Sequence, residues 1–181
     1  MVRPQFQVHS IIPPSIEPVT LSETKDFIRI DDASNDGFIS NLISVARQAA
    51  ETFLKRSLIT QTLRMEFDQY APSTFELVLG PVQSITRATL VNRDLSETSI
   101  DSSMYYLTVG KDNIVFDVTP VSHKVLVEYV VGYGDNAEDV PHPIRQAMLI
   151  HIARMYDNRT GNSSIPNASR NLYMPYRVIN A

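Results

Sequence analysis

Residues 125–159 read VLVEYVVGYGDNAEDVPHPIRQAMLIHIARMYDNR: a strand-like run, a glycine turn, an acidic loop and a helix. Pro141 and Pro143 open this helix, in the turn where a missing N–H has no intrahelical partner to lose. Apolar residues at helical spacing then predict one broad buried face, made of Ile144, Ala147, Met148, Ile152 and Met155. The stretch therefore predicts a strand that is followed directly by a long amphipathic helix.

The polar side of this helix carries one apolar residue, Ile150, near Gln146 and Arg154. Two interpretations are open. A single exposed apolar side chain is common on protein surfaces and needs no explanation. A helix that is apolar nearly all round is instead typical of burial on two sides, once in the subunit and once against a neighbour. The second interpretation makes Gln146, Ile150 and Arg154 a subunit–subunit interface.

Two more helices are predicted near the start of the chain. Thr20 and Glu23 have the spacing of a capping box and begin a short helix at about 20–30. A longer helix covers about 35–55. Its predicted buried face is listed here: Phe38, Leu42, Val45, Ala49 and Phe53, flanked by Ile39, Ala46 and Ala50.

Strands are predicted between residues 61 and 131. Residues 61–68 alternate between apolar and polar side chains, the period of a half-buried strand. No long helix interrupts the strand candidates that follow, which favours an antiparallel sheet. The fold class is thus α+β: a small core of three main helices, an inserted antiparallel β-sheet region, and extended N- and C-terminal arms.

This pattern predicts three segments. Residues 1–18 contain four prolines and are expected to form an extended arm. Residues 19–159 form a single domain, with helices at about 20–30, 35–55 and 143–159 and the β insertion at about 61–131. Residues 160–181 begin as a polar linker and end in the apolar and aromatic run LYMPYRVI, residues 172–179, which is typical of an interaction tail.

Composition excludes several classes of protein. The 181 residues include no cysteine, so disulfides and thiolate metal sites are excluded, and no apolar run approaches the ~20 residues of a membrane span. The net charge is −4, but residues 154–181 hold four arginines and one aspartate, which leaves −7 for the rest. A basic tail on an acidic body indicates an acidic partner for the tail, or an ordinary solvated tail.

No motif for catalysis, cofactor binding or phosphate binding is present, so no catalytic, cofactor or metal residues are predicted. Asp31 to Gly37 resembles the start of a calcium loop, but Ile43 occupies the position of its bidentate glutamate, and a helix-capping turn fits better. The acidic loop, with Asp135, Glu138 and Asp139, either binds a cation or places carboxylates before a helix, where the helix dipole favours them, and the second interpretation fits better. His151 lies at the edge of an apolar helix face, as a structural histidine does.

Several segments, in order, resemble the phage head–tail connector family, also called head-completion adaptors. They cover about residues 17–178, nearly the whole chain. They are EPVTL (17–21), FIRID (27–31), LITQT (58–62), LGPVQSI (79–85), VGYGD (131–135), VPHPIRQA (140–147), YDNR (156–159) and PYRV (175–178). The proline-rich arm and the long strand-rich segment depart from the simplest members.

The resemblance implies a structural, non-enzymatic protein of the virion, made in the bacterial cytoplasm and placed at the head–tail junction of a phage, prophage or gene transfer agent. It implies a ring, usually of twelve copies, that is attached to the portal protein and offers a surface to a downstream tail-side connector or stopper. DNA is expected to pass through this ring without specific binding.

Within this family the tail becomes the predicted portal-docking element, because arginine and tyrosine are frequent anchors of interfaces. Its predicted residues are Arg170, Leu172, Tyr173, Pro175, Tyr176, Arg177 and Val178. Pro175 is expected to keep the segment extended. The alternative is that the tail packs against its own subunit.

The rival function is that of a single-stranded nucleic-acid-binding protein of phage origin. Such proteins carry a basic groove lined with aromatic side chains, and the acidic body of this chain argues against one.

Overall fold

The computed structural model describes residues 6–110, 112–158 and 164–179. Four helices are present in these ranges: α1 (Leu21–Ile28), α2 (Asp36–Leu54), α3 (His142–Asp157) and α4 (Asn167–Tyr173). The strands are β1 (Phe6–Ile12), β2 (Gln61–Tyr70), β3 (Thr74–Glu76), β4 (Val82–Val91), β5 (Glu97–Ser99), β6 (Tyr105–Leu107), β7 (Asn113–Phe116) and β8 (Val121–Val131). Short 3-10 turns occur at Ser102–Met104, Ala137–Asp139 and Met174–Tyr176.

The chain divides into two compact units, where a single domain with two arms was expected. Residues 1–14 and 60–132 form a β unit, and residues 15–59 and 133–181 form a helical unit. The predicted α+β class is confirmed, because all strand pairs within the two sheets are antiparallel and the helices lie outside the β segment.

The β unit contains a five-stranded sheet in the order β1-β2-β8-β4-β5 and a three-stranded sheet in the order β3-β7-β6. Alternation in β2 buries Leu63, Met65 and Phe67, which lie opposite Tyr129, Val127 and Val125 of β8. The polar residues between them face the other way, and there Arg64 pairs with Glu128 at 2.6 Å.

Part of the predicted N-terminal arm belongs to this sheet. Residues 6–12 (FQVHSII) pair with β2 as an edge strand, so the arm is integrated into the β unit. Every backbone N–H of that run is available for a ladder, and Pro13 and Pro14 end the strand because proline has no N–H to donate. Residues 1–5 lie outside the described residues.

The helical unit is built around α2 and α3. Its core contains Ile39, Ile43, Ala46, Ala50 and Leu54 of α2, all buried. The predicted face is therefore displaced by one residue: Val45 is 46% exposed, and Leu42 is half-buried. A helix with two adjacent apolar stripes fits the period equally well in either orientation, so the neighbouring helices decide which stripe is covered.

Local contacts explain how α1 begins. Thr20 Oγ1 accepts a bond from Glu23 N at 3.1 Å, which is half of the predicted capping box. The Glu23 carboxylate, in place of the second half, accepts two bonds from Arg145 Nη2 of α3, both at 2.9 Å. Arg145 Nε also donates to Pro18 O at 3.0 Å, so this arginine ties the start of α1 to α3.

The two acidic segments act as turns. Asp32 Oδ1 accepts bonds from the Ser34 backbone N–H and hydroxyl, and these bonds lower the pKa of Asp32. Asp139 accepts from the backbone N–H of Asn136 at 2.9 Å in the turn before α3. Gly134 contacts Asp139 so closely that a Cβ there would overlap the carboxylate, and Gly132 has a positive φ of 119°. Both segments are therefore turns, but neither provides a side-chain hydrogen bond that caps the helix after it, α2 or α3.

Candidate functional site

The outer face of α3 brings together the three residues that were predicted to contact a neighbouring subunit. Gln146, Ile150 and Arg154 are spaced four residues apart, so they form one stripe along the helix. Gln146 and Ile150 are half-buried and Arg154 is exposed. We call these three residues the α3 stripe.

The opposite face of α3 is fully packed. Ile144, Ala147, Met148 and Ile152 are completely buried, and they share the core with α2. His151 is also buried, which agrees with the predicted structural role. This side of α3 is filled by its own subunit, and the α3 stripe lies outside the packed face.

The C-terminal segment, residues 164–179, folds against the same helices. Tyr173 is completely buried, and its ring lies 5.9 Å from that of Phe53 in the last turn of α2. The hydroxyl of Ser169, one helical turn earlier, donates to Ala147 O of α3 at 2.8 Å. Helix α4 therefore presents Ser169 and Tyr173 to the core of the helical unit.

Two hydrogen bonds, one from a side chain and one between backbone groups, hold the end of the segment to the end of α2. Arg56 Nε donates to Tyr176 O at 2.8 Å, and Val178 N donates to Leu54 O at 3.0 Å. Leu54 is in the last turn of α2, where carbonyl groups have no partner within the helix, so residue 178 satisfies one of them. The segment thus completes the C-terminal end of α2.

The two arginines of the segment lie over one aromatic ring. The guanidinium carbon of Arg177 is 4.9 Å from the centre of the Phe53 ring, and that of Arg170 is 5.8 Å from it. Both distances are within the range of a cation–π interaction. Both side chains are exposed, and neither has an ion pair among the described residues. Together they form a positively charged surface over the Phe53 ring.

A metal-binding cluster and a membrane-spanning helix are both absent from the described ranges. These contain no group of three or more histidine, aspartate or glutamate side chains arranged to hold a metal ion. None of the helices described is both long enough and apolar enough to cross a membrane. The raised pKa values of Tyr129 and Tyr173 result from burial in the cores of the two units.

Comparison with known proteins gives the family. The family model described as "Phage gp6-like head-tail connector protein" matches residues 18–121, more than half of the chain. The chain belongs to this family. The connector is accordingly a structural component of the junction between head and tail. No curated protein matches the connector significantly.

Solved structures similar to the connector come from gene transfer agent (GTA) particles. A chain in the neck of an empty GTA particle, computed with C6 symmetry, has a TM-score of 0.84 at 17% identity and covers 97% of each chain. A chain in the virion of a native GTA particle has a TM-score of 0.82 at 18% identity, with 96% of each chain covered. A third, in the native neck computed with C12 symmetry, has a TM-score of 0.74 at 19% identity and covers 98% of the connector and 97% of that chain. These structures establish the connector fold over nearly the whole chain.

The predicted docking residues of the connector differ in accessibility. Arg170, Pro175 and Arg177 are exposed, Leu172, Tyr176 and Val178 are half-buried, and Tyr173 is buried. Direct docking of Tyr173 on the portal does not fit this position, because the helical turn of α4 directs its ring into the subunit. Pro175 lies in a 3-10 turn and not in an extended segment, since proline is tolerated in a first turn as well.

Sequence reasoning missed the residues that hold this segment in place. Arg56 and Phe53 contact it across more than 100 positions of sequence, and no local pattern reports such a contact. A weak signal was present within the tail itself. Ser169, Leu172 and Tyr173 have the i, i+3, i+4 spacing of a helix face, although the polar residues around them favoured a linker.

Proposed function

We propose that twelve copies of the connector form a ring on the portal protein, that the ring continues the DNA channel, and that its far side receives a tail-side connector or stopper. The observation that carries this proposal is the combination of family membership with a fold shared over 97% of a chain in a GTA neck. The C12 symmetry of the native neck supports twelve copies in particular. In this role the connector has no catalytic function.

Charge supports a channel that does not retain DNA. The β unit contains nine carboxylate and six cationic side chains, and the helical unit contains eleven and ten. Neither unit has the excess of positive charge that nonspecific DNA binding requires. DNA can therefore pass without being held, and the single-stranded nucleic-acid-binding alternative is disfavoured.

The α3 stripe is proposed as the lateral contact between copies in the ring. Its apolar member, Ile150, is half-buried in the subunit and can be fully buried by a neighbour. Ile150→Asp should leave a folded monomer but prevent ring formation, because the introduced carboxylate would be desolvated at the contact. Loss of folding in this variant would show that Ile150 belongs to the core of its own subunit.

The exposed part of the C-terminal segment is proposed as the portal-docking surface, with Arg170, Pro175 and Arg177 at its centre and Leu172, Tyr176 and Val178 at its edge. Tyr173 supports this surface from below. Arg170 and Arg177 are proposed to pair with carboxylates on the portal. Arg177→Glu should therefore weaken binding to the portal about tenfold or more, because the new carboxylate would repel them. The melting temperature of the monomer should change little, because an exposed cation–π contact contributes about 0.5–1 kcal/mol. Arg93→Glu, the same charge change at an exposed site of the β unit, is the matched control.

The whole proposal is tested by mixing the purified connector with the portal of the same particle and counting copies by native mass spectrometry. Twelve connectors per portal ring are expected, together with negligible binding of duplex DNA at moderate salt. Absence of a complex would contradict the proposed function. Micromolar, strongly salt-dependent DNA binding would favour the nucleic-acid alternative.

A further inference from the structure

We infer that the surface receiving the α3 stripe is an acidic groove at the end of α1 on the next copy of the chain. This inference rests on the proposed ring and names its second lateral surface. The groove has a volume of about 310 Å³. It is lined by Leu21, Ser22, Lys25, Asp26, Ile30 and Asp31.

The groove combines apolar walls with unpaired negative charge. Leu21 and Ile30 contribute the apolar surface. Asp26 and Asp31 are exposed, and no ion pair involves them within the described ranges. The positive charge of Lys25 is already paired with Asp36, at 2.7 Å. The groove therefore suits a cationic side chain that is accompanied by an apolar one.

The α3 stripe has the complementary composition. Arg154 is exposed and has no ion pair in the part of the chain that the structure describes. Ile150 lies one turn before it and presents an apolar side chain on the same face. Arg154 can pair with Asp26 and Asp31 while Ile150 contacts Leu21 and Ile30. Arginine suits such a site because its planar guanidinium group can bond two carboxylates at once.

One copy cannot make this contact with itself. Arg145 contacts α1, and Tyr156 packs on Phe38 in the first turn of α2 with ring centres 6.0 Å apart. At about 100° per residue, Ile150 lies about 140° around α3 from Arg145, and Arg154 lies about 160° from Tyr156. The stripe thus faces away from the side of α3 that holds α1 and the start of α2.

Two different surfaces that fit each other on separate copies form a head-to-tail interface. Repetition of such an interface produces a closed ring when the rotation between copies divides a full turn, and a filament when it does not. The groove of one copy therefore receives the α3 stripe of a second copy. Copies joined in this way close into a ring when they assemble on the portal.

A charge-exchange experiment tests the inference with the full chain and the portal. Variant one carries Arg154→Glu, and variant two carries Asp26→Arg with Asp31→Arg. Each alone places like charges at every lateral contact, so each should associate about 100-fold more weakly than wild type. An equal mixture restores complementary contacts at every interface of an alternating ring. Rings of six copies of each variant should therefore form, and their mass distinguishes them from random mixtures.

Controls separate the possible failures. Circular dichroism and thermal melting show whether each variant is folded, and Asp31→Arg alone is the milder substitute because Asp31 lies outside α1. The groove assignment is wrong if each variant alone forms rings as well as wild type does. It is also wrong if the variants are folded but their mixture does not assemble. Neither outcome contradicts the proposed ring. Failure of wild-type protein to form a ring on the portal would instead overturn the proposed function itself.

Discussion

The β unit and the helical unit each bury one large tyrosine, but they treat its hydroxyl group differently. Tyr129 of β8 is completely buried, and its hydroxyl donates to Val78 O at 3.0 Å. Tyr173 of α4 is equally buried, yet its hydroxyl has no hydrogen-bond partner among the described residues. Sheet alternation places Tyr129 opposite a loop carbonyl, whereas α4 inserts Tyr173 among apolar and aromatic side chains.

This difference shows how each unit obtains its stability. The β unit satisfies polar groups regularly, because neighbouring strands bring donors and acceptors into register. The helical unit depends on side-chain packing between segments far apart in sequence, residues 15–59 and 133–179. An unpaired buried hydroxyl is tolerated there because the ring itself buries a large apolar area. The C-terminal segment is thus a structural part of the helical unit as well as the proposed docking surface.

The largest effect is expected at Tyr173. Tyr173→Ala removes a fully buried ring and should lower the free energy of unfolding of the helical unit by about 3–5 kcal/mol. Met174→Ala, at the neighbouring and half-exposed position, is the control and should change it by less than about 0.5 kcal/mol. Chemical denaturation followed by circular dichroism measures both. Equal stability of the two variants would show that the segment is not part of the core.

A matched pair of methionine variants tests whether the two units unfold separately. Met65 of β2 and Met148 of α3 are both completely buried. Met65→Ala and Met148→Ala should each cost about 2–5 kcal/mol in their own unit. Hydrogen exchange resolved along the chain should show faster exchange in the β unit for the first variant and in the helical unit for the second. Equal acceleration in both units by either variant would mean that they unfold together.

Removal of one hydroxyl sharpens the comparison of the two tyrosines. Tyr129→Phe removes the donor to the carbonyl of the half-buried Val78 and should cost about 0.5–1.5 kcal/mol. Tyr173→Phe removes a group that has no partner in the described structure, so the stability should stay the same or rise slightly. Denaturant midpoints at neutral pH measure both effects. A larger cost for Tyr173→Phe would reveal a partner for its hydroxyl.

The smallest effect is a dependence on alkaline pH. Burial raises the pKa of both Tyr129 and Tyr173 above the ordinary value of 10.0. The unfolded state therefore loses these protons first, so the stability is complete below pH 10 and falls as the pH rises through and beyond it. Each tyrosine should cost at most about 1.4 kcal/mol at pH 11. Between pH 9 and 11, the melting temperature should fall less with rising pH for each phenylalanine variant than for wild type.

Several features of the connector could be predicted from the sequence because they depend on neighbouring residues. Alternation in β2 predicted its buried residues, helical spacing predicted the buried face of α3, and Thr20 was recognised as a helix cap. The ordered set of short motifs predicted the family, because such motifs preserve local turns and helix ends. The α+β class followed from the change of period at residue 61 and its reversal after residue 131.

Tertiary structure decided which of several locally equivalent surfaces is covered. The period of α2 is the same whether Leu42 or Ile43 faces the core, and the packing of α3 selected Ile43. Glu23 suits a capping box or an ion pair, and the approach of Arg145 selected the ion pair. Tyr173 suits either an interface or a core, and contact with Phe53 buried it. Periodicity determines which residues share a face, but burial depends on neighbours more than 100 positions away, which no local pattern contains.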